Sequence, residues 1–298
     1  MKTVPLSSLN IEDVLPHETE TDILNASITK LKSFDDNYSV VETDPSYNTL
    51  AVTSYREFIK TQEFNDLVKS LFLGHAKGAK LDFIGNTYHL TPRLILDEGD
   101  ATATPPIDPV YESDEDYTAR ILLSGYAYNT AGSKKAYIYH VMTASGDIKD
   151  TSIVSPSAVT VDVVVLSRIG DGLPDAALVT LVDNHLDDDK RPFTDQVIVQ
   201  AATILNYLVD VSLILYPGFD SETIRSQAEA ALLIWIDEQH SLGRDITIIG
   251  IGAALKVAGV HNVVLNDTGG AITADLVVSD YEAAFCTGVA VAFGGYGE

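Results

Sequence analysis

The densest set of ligating side chains in the sequence is Asp183, His185, Asp187, Asp188 and Asp189. On a helix, Asp183 and Asp187 share one face and His185 and Asp189 another, because side chains four apart stack. Carboxylates so crowded could hold a hard cation such as calcium. The loop spacing and the glycine of an EF-hand are missing, however. The set reads as the solvated acidic end of a helix, where acid opposes the dipole and Lys190 or Arg191 must neutralise it. A second set is Ile248 to Leu255 (IIGIGAAL), which has the look of a strand, a Gly-x-Gly turn at Gly250 and Gly252, and a helix. That is the opening of a dinucleotide-binding fingerprint. Its third glycine position holds Leu255, and the acidic residue wanted about twenty positions on is at best Asp267. A tight strand-to-helix turn is the favoured reading. Ser27-x-x-Lys30 lacks the companion motifs of an acyl-transfer site. Cys286 reads as a small packing residue. The seven histidines are scattered, and no His-Glu-x-x-His, Gly-x-Ser-x-Gly or P-loop occurs. No catalytic, cofactor or metal residues are assigned.

The polar residues singled out are Arg191 with Asp195, and Arg244 with Asp245. Both pairs sit at turns. A guanidinium fork suits a carboxylate or carbonyl, and Thr194 or Asp195 suits a turn cap. Their expected work is to hold an interface shape.

Composition narrows the partners. The chain carries 19 basic and 43 acidic residues, a net charge of −24. Such a balance repels nucleic-acid backbones and anionic membranes and favours basic protein surfaces. A hydrophobic fraction of 46% is ample for real cores. The lone cysteine excludes an intramolecular disulfide and fits a reducing compartment. Neither a signal peptide nor a membrane span is expected.

The elements that position these residues fall into three expected regions. Residues 1–93 read as an N-terminal helical region behind an extended arm at 1–16: a helix from about Glu18 to Phe34, a long one opened by Pro45, and a short one from Ala79 to Tyr88. The long helix bears an apolar stripe that includes Tyr55, Phe58, Phe64, Leu67 and Leu71 and has no local partner, as in a bundle strand. Residues 94–158 read as a linker, rich in proline around Pro105-Pro106, and a middle domain with a helix capped by Ser113. Residues 159–298 read as two β-α-β-type units. They comprise a half-buried strand from Val159, a helix from Asp175, a strand from Val197, a long strand from Tyr207 to Tyr216, and a helix capped by Asp220 or Ser221. A helix from Ile249, a strand at Val260–Leu265, and further, antiparallel strands at Ala271–Val278 and Val289–Phe293 complete them. The fold class is α+β: long N-terminal helices, a mixed middle region, then the two β-α-β-type units.

An ordered set of segments resembles the baseplate J-like wedge proteins of contractile-tailed phages. The set includes Leu71 to Arg93, Glu112-Ser113-Asp114-Glu115, Ala131-Gly132-Ser133 with Ala136-Tyr137, Asp147-Ile148-Lys149-Asp150, and Ser155-Pro156. It continues with Leu186 to Val199, centred on Arg191-Pro192-Phe193-Thr194-Asp195, then Leu242 to Ile246, and Gly259 to Leu265. The resemblance covers roughly Tyr47 to Leu265 and implies a structural protein without enzymatic activity. It further implies that a second copy of the chain and a smaller wedge protein join through the N-terminal helices in a three-stranded bundle. The C-terminal units would link neighbouring wedges into a sixfold ring around the hub, next to the sheath-initiating proteins. The place would be the virion tail baseplate, assembled in the bacterial cytoplasm. Two other readings stand beside it: a soluble α/β nucleotide-binding enzyme using Gly250–Gly252, and a host-binding tail module.

Overall fold

A computed structural model describes residues 11, 15–34, 41–128, 132–186, 190–218 and 220–297. The expected arm and the acidic run 187–189 lie mostly or wholly outside them. The described residues form an α+β fold in two compact units, the first made of 1–93 with 113–121, the second of 94–112 with 122–298.

The first unit is helical. Helix α1 (Glu20–Lys32) starts in a capping box, with Thr19 and Asp22 each satisfying the other's backbone N–H. Helix α2 (Pro45–Lys69) starts with proline in its first turn behind the N-cap Asp44. Helix α3 (Ala79–Tyr88) follows. The small core comprises Ala76, Leu81, Ile84, Tyr117 and Ile121, the last two from helix α4 (Asp114–Ala127). Gly85 is required where α3 meets α4, since a Cβ there would lie 2.6 Å from Tyr117 Cζ. Arg93 ties the unit together: its Nε and Nη2 reach Asp82 and Asp114 at 2.6 Å each, and its guanidinium lies 4.7 Å over the Tyr117 ring.

The second unit starts at residue 94. Residues 94–111, expected as a linker, fold back as a hairpin of β1 (Ile95–Asp97) and β2 (Val110–Tyr111), extended by a bridge between Asp100 and Ile107. Pro105-Pro106 therefore lies at a hairpin tip. Helix α5 (Lys134–Ala144) leads into the first sheet: β3 (Ile148–Val154), β4 (Thr160–Ser167) and β5 (Gln196–Ala201), with helix α6 (Ala176–His185) crossing over from β4 to β5. β4 is antiparallel to β3 and parallel to β5. The boundary expected after residue 158 falls inside this sheet.

β4 was expected to be half-buried, but Val163 to Ser167 are buried without interruption. Val163 and Val165 pack with Tyr137, Val141, Leu178 and Val182, whereas Val164 and Leu166 pack with Ala202 and Ala283. A strand covered on both faces loses the alternation of a solvated one.

The second sheet has order β7-β6-β8, with β6 (Thr203–Leu215) central, β7 (Val260–Leu265) antiparallel to it and β8 (Glu282–Tyr296) parallel. Helices α7 (Ser221–Gln239) and α8 (Ile248–Leu255) join β6 to β7, so this β-α-β-like segment closes an antiparallel pair. Two strand expectations change here. Ala271–Val278 contributes only a bridge from Leu276 to Ile246, and the last strand runs parallel to its neighbour. β6 alternates along its second half: Tyr207, Val209, Val211, Leu213 and Leu215 face a core with Ile224, Ala228 and Leu232 of α7 and Ile251 and Leu255 of α8. Gly288 and Gly294 of β8 lie so close under Leu208 and Ile214 of β6 that a Cβ would meet them at 2.9 and 3.1 Å.

Candidate assembly surfaces

Helix α2 buries the wrong residues for a helix that is complete by itself. Its buried positions are polar: Ser54 at 1% exposure and Asn65 at 6%, the latter donating from Nδ2 to the Pro16 carbonyl at 3.0 Å. Its large apolar side chains point outward, with Val52, Tyr55, Ile59, Phe64 and Leu67 all exposed. Among the residues singled out from sequence, Tyr55 is exposed, Phe58 half-buried, Phe64 and Leu67 each 57% exposed, and Leu71, just beyond the helix, 71%. The fold brings Phe64, Leu67 and Leu71 together with Val68, Ile84 and Phe83 around an apolar groove of about 450 Å³, with Lys80 at its edge. Tyr55 and Phe58 lie outside this groove. Phe83 was missed because a three-turn helix hides which of its apolar residues turns outward; Tyr88 stands edge-on to it at 6.4 Å. The exposed side of α2 is thus an apolar one.

The turn at Arg191–Asp195 is a clamp between α5 and the start of β5. Asp195 Oδ2 accepts from Tyr137 Oη at 2.8 Å, and its backbone N–H returns to the Pro192 carbonyl at 3.0 Å. Gly132, at φ +71°, sits where a Cβ would lie 2.6 Å from Pro192 Cγ. Burial and then the Asp195 carboxylate push the Tyr137 hydroxyl far above its ordinary range, while the Arg191 charge acts the other way. Tyr137 thus stays protonated as a donor. A cleft of about 480 Å³ between Lys134, Ile153, Val161 and Asp195 opens beside it.

The second pair ties down the end of α7 and the segment that leads into β8. Arg244 Nη1 donates to the Glu238 carbonyl at 2.6 Å near the end of α7, and Asp245 Oδ1 accepts from the Val278 N–H at 2.7 Å. The Gly-x-Gly reading is corrected: Gly250 and Gly252 lie inside α8, and no strand precedes them. The Gly250 N–H bonds to the N-cap Thr247, and a Cβ on Gly250 would strike Trp235. Gly250 is there for helix packing, not to cradle a phosphate. Burial pushes the Cys286 thiol up, and its Sγ turns to the Gly288 carbonyl at 3.2 Å, which leaves it a poor nucleophile.

Sequence reasoning assigned no role to the joint between the two sheets. Lys149 Nζ pairs with Asp237 Oδ1 at 2.7 Å, Asp150 Oδ2 accepts from the Leu242 N–H at 2.9 Å, and Tyr281 Oη donates to Asp162 at 2.9 Å. Burial raises the Asp150 carboxyl above its ordinary value against the pull of the Leu242 and Thr151 N–H groups and of Arg244 and Lys149. The signal was the run Asp147 to Asp150, whose polar residues sit in a strand that is otherwise inward-facing. Among the described residues no helix is long and apolar enough to cross a membrane.

Comparison with known proteins gives three matches in chain order. Residues 42–100 match the Baseplate J-like N-terminal domain, residues 129–201 the Baseplate J-like central domain, and residues 207–292 the Baseplate J-like protein C-terminal domain. The central match spans the first sheet and the C-terminal match nearly all of the second. The chain is also 40% identical over 259 residues to Baseplate protein J of Escherichia phage P2, an alignment covering 87% of this chain and 84% of that relative.

Proposed function

Because this chain belongs to the baseplate J-like family, and so is a structural protein of a phage tail baseplate, we propose that it acts there as a wedge subunit. In this reading two copies and a smaller wedge protein associate through the N-terminal helices. The C-terminal sheets join neighbouring wedges into a sixfold ring around the hub, which rearranges when the sheath contracts. The observation that carries the reading is the inverted burial of α2, with Ser54 and Asn65 inside and Tyr55, Phe64, Leu67 and Leu71 outside. Burying an exposed leucine contributes about 1.5–3 kcal/mol, so a stripe of such residues can drive association. The clamps at Asp195 and Arg244 then serve to keep the sheets rigid while load passes through them.

The test is co-expression with the neighbouring tail genes, followed by the mass of the complex that purifies. A complex of two copies with one smaller protein is expected, and the double variant Leu67→Lys, Leu71→Lys should release both partners. A monomer that purifies free of every neighbour would sink the proposal.

A further inference from the structure

Edge strands of a sheet present backbone N–H and C=O groups with no partner, and a protein that stays monomeric blunts them with charge, proline or brevity. The outer edge of β8 has none of these. It is 15 residues long. Its beginning is covered, since Leu242 bridges Ala283 and the Gly243 N–H bonds to the Glu282 carbonyl. Beyond that point no strand pairs with its outer side among the described residues. The twelve residues from Phe285 to Tyr296 contain no charged side chain and no proline, in a chain of net charge −24.

Two irregularities in the pairing with β6 define the usable part. The register shifts between Cys286 and Gly288 and again between Phe293 and Gly295, leaving Gly288–Phe293 as one regular run. Bulges interrupt a ladder and re-aim the strand, so a partner strand can follow the edge only between them. On this run Val291 faces the core, whereas Ala290 and Ala292 are exposed and small.

We propose that the Gly288–Phe293 run of β8 pairs antiparallel with the same strand of a second copy across a two-fold axis at Ala290, Val291 or Ala292, joining two three-stranded sheets into one. The occupant is argued from charge. Two copies of so acidic a chain repel wherever carboxylates face each other, and the neutral stretch lets them meet without that cost. A basic partner would instead be drawn to the acidic surfaces and would gain nothing from a neutral edge. A two-fold axis also makes the segment its own complement, which is how identical surfaces pair. This deepens the ring-joining role given above to the C-terminal sheets and rests on that reading.

The experiment uses the full chain with Cys286→Ala, carrying Ala290→Cys or Ala292→Cys, each alone and both mixed. Disulfide formation under a mild oxidant is compared with that of Val277→Cys, an exposed control outside β8. A covalent dimer in at least one of the three β8 samples, at a yield roughly tenfold above the control, is expected, because facing residues of an antiparallel pair lie about 4.5–5.5 Å apart. Yields equal to the control in all three would overturn the proposal. Repeating the assay with Leu67→Lys and Leu71→Lys added separates the surfaces: the β8 dimer should persist when the α2 contact is gone. Its loss with those changes would overturn β8 pairing as an interface of its own and leave the α2 reading intact.

Discussion

At Gly85 the usual value of a residue is reversed. Replacing glycine by alanine inside a helix ordinarily stabilises by about 1 kcal/mol. Here the new methyl would press on the Tyr117 ring, whose hydroxyl is fixed by its bond to the Thr91 carbonyl at 2.7 Å. Gly85→Ala should therefore lower stability, by about 1–3 kcal/mol for an overpacked core, read as a drop in the thermal midpoint followed by circular dichroism. A rise would show that α3 and α4 can separate freely. The Arg93 clamp gives a pH dependence with a definite sign. The hydrogen bond from Arg93 holds the Asp114 carboxyl below its ordinary value of 3.8, against the burial that raises it. A depressed carboxyl contributes stability that is complete above its unfolded value and lost as pH falls through the folded one. Both carboxylates are more than a third exposed, so the contribution is at most about 1 kcal/mol. Arg93→Gln should be less stable than the parent at pH near 6, and the gap should close below the ordinary carboxylate range. A gap that persists in acid would mean that Arg93 acts through its stacking on Tyr117 alone.

At the scale of elements, α2 makes the sharpest claim. Exposed apolar residues contribute little to the isolated fold, so Leu67→Lys with Leu71→Lys should change the unfolding free energy by less than about 0.5 kcal/mol per site. Loss of stability equal to that of a core change would show that the groove is filled by this chain itself. The sequence made this helix legible: Pro45 marks its start, and the apolar spacing marks its stripe. The same text could not say which side of the helix is covered, because Ser54 and Asn65 look like ordinary surface residues until their exposure is known. β4 shows a different limit. Its run Val163-Val164-Val165-Leu166 signals burial on both faces, yet alternation with Thr160 and Asp162 earlier in the strand suggested a half-solvated one. β8 shows a third. Period and composition reveal a strand at Val289–Phe293, but its direction depends on where the chain has travelled meanwhile, and no local pattern records that. The glycines of α8 read as a turn because glycine disfavours helix interiors; the contact of Gly250 with Trp235 explains the first, whereas Gly252 faces open space.

At the scale of the whole molecule, the net charge of −24 sets two associations against each other. Docking onto a basic partner is an attraction between opposite charges, which added salt screens. The screening length falls from roughly 10 Å at 0.1 M to about 3 Å at 1 M. Pairing of two copies along the neutral run of β8 faces the reverse situation. The contact itself carries no charge, while everything around it repels, so salt removes an obstacle and takes nothing from the backbone hydrogen bonds. Raising ionic strength from about 0.05 M to about 0.5 M should thus increase the yield of the Ala290→Cys or Ala292→Cys dimer and weaken binding of a basic neighbour in the same sample. The two effects are read together, by gel for the covalent dimer and by sedimentation for the complex. A dimer yield that falls with salt would mean that charge pairs hold the two copies together, and the neutral edge would then be incidental. A yield that rises while the heterologous complex holds firm would place that complex on apolar contacts of the α2 kind instead. Acidity thus chooses where the surface is allowed to stick: neutral edge to neutral edge for a sister copy, acidic face to basic face for a different protein.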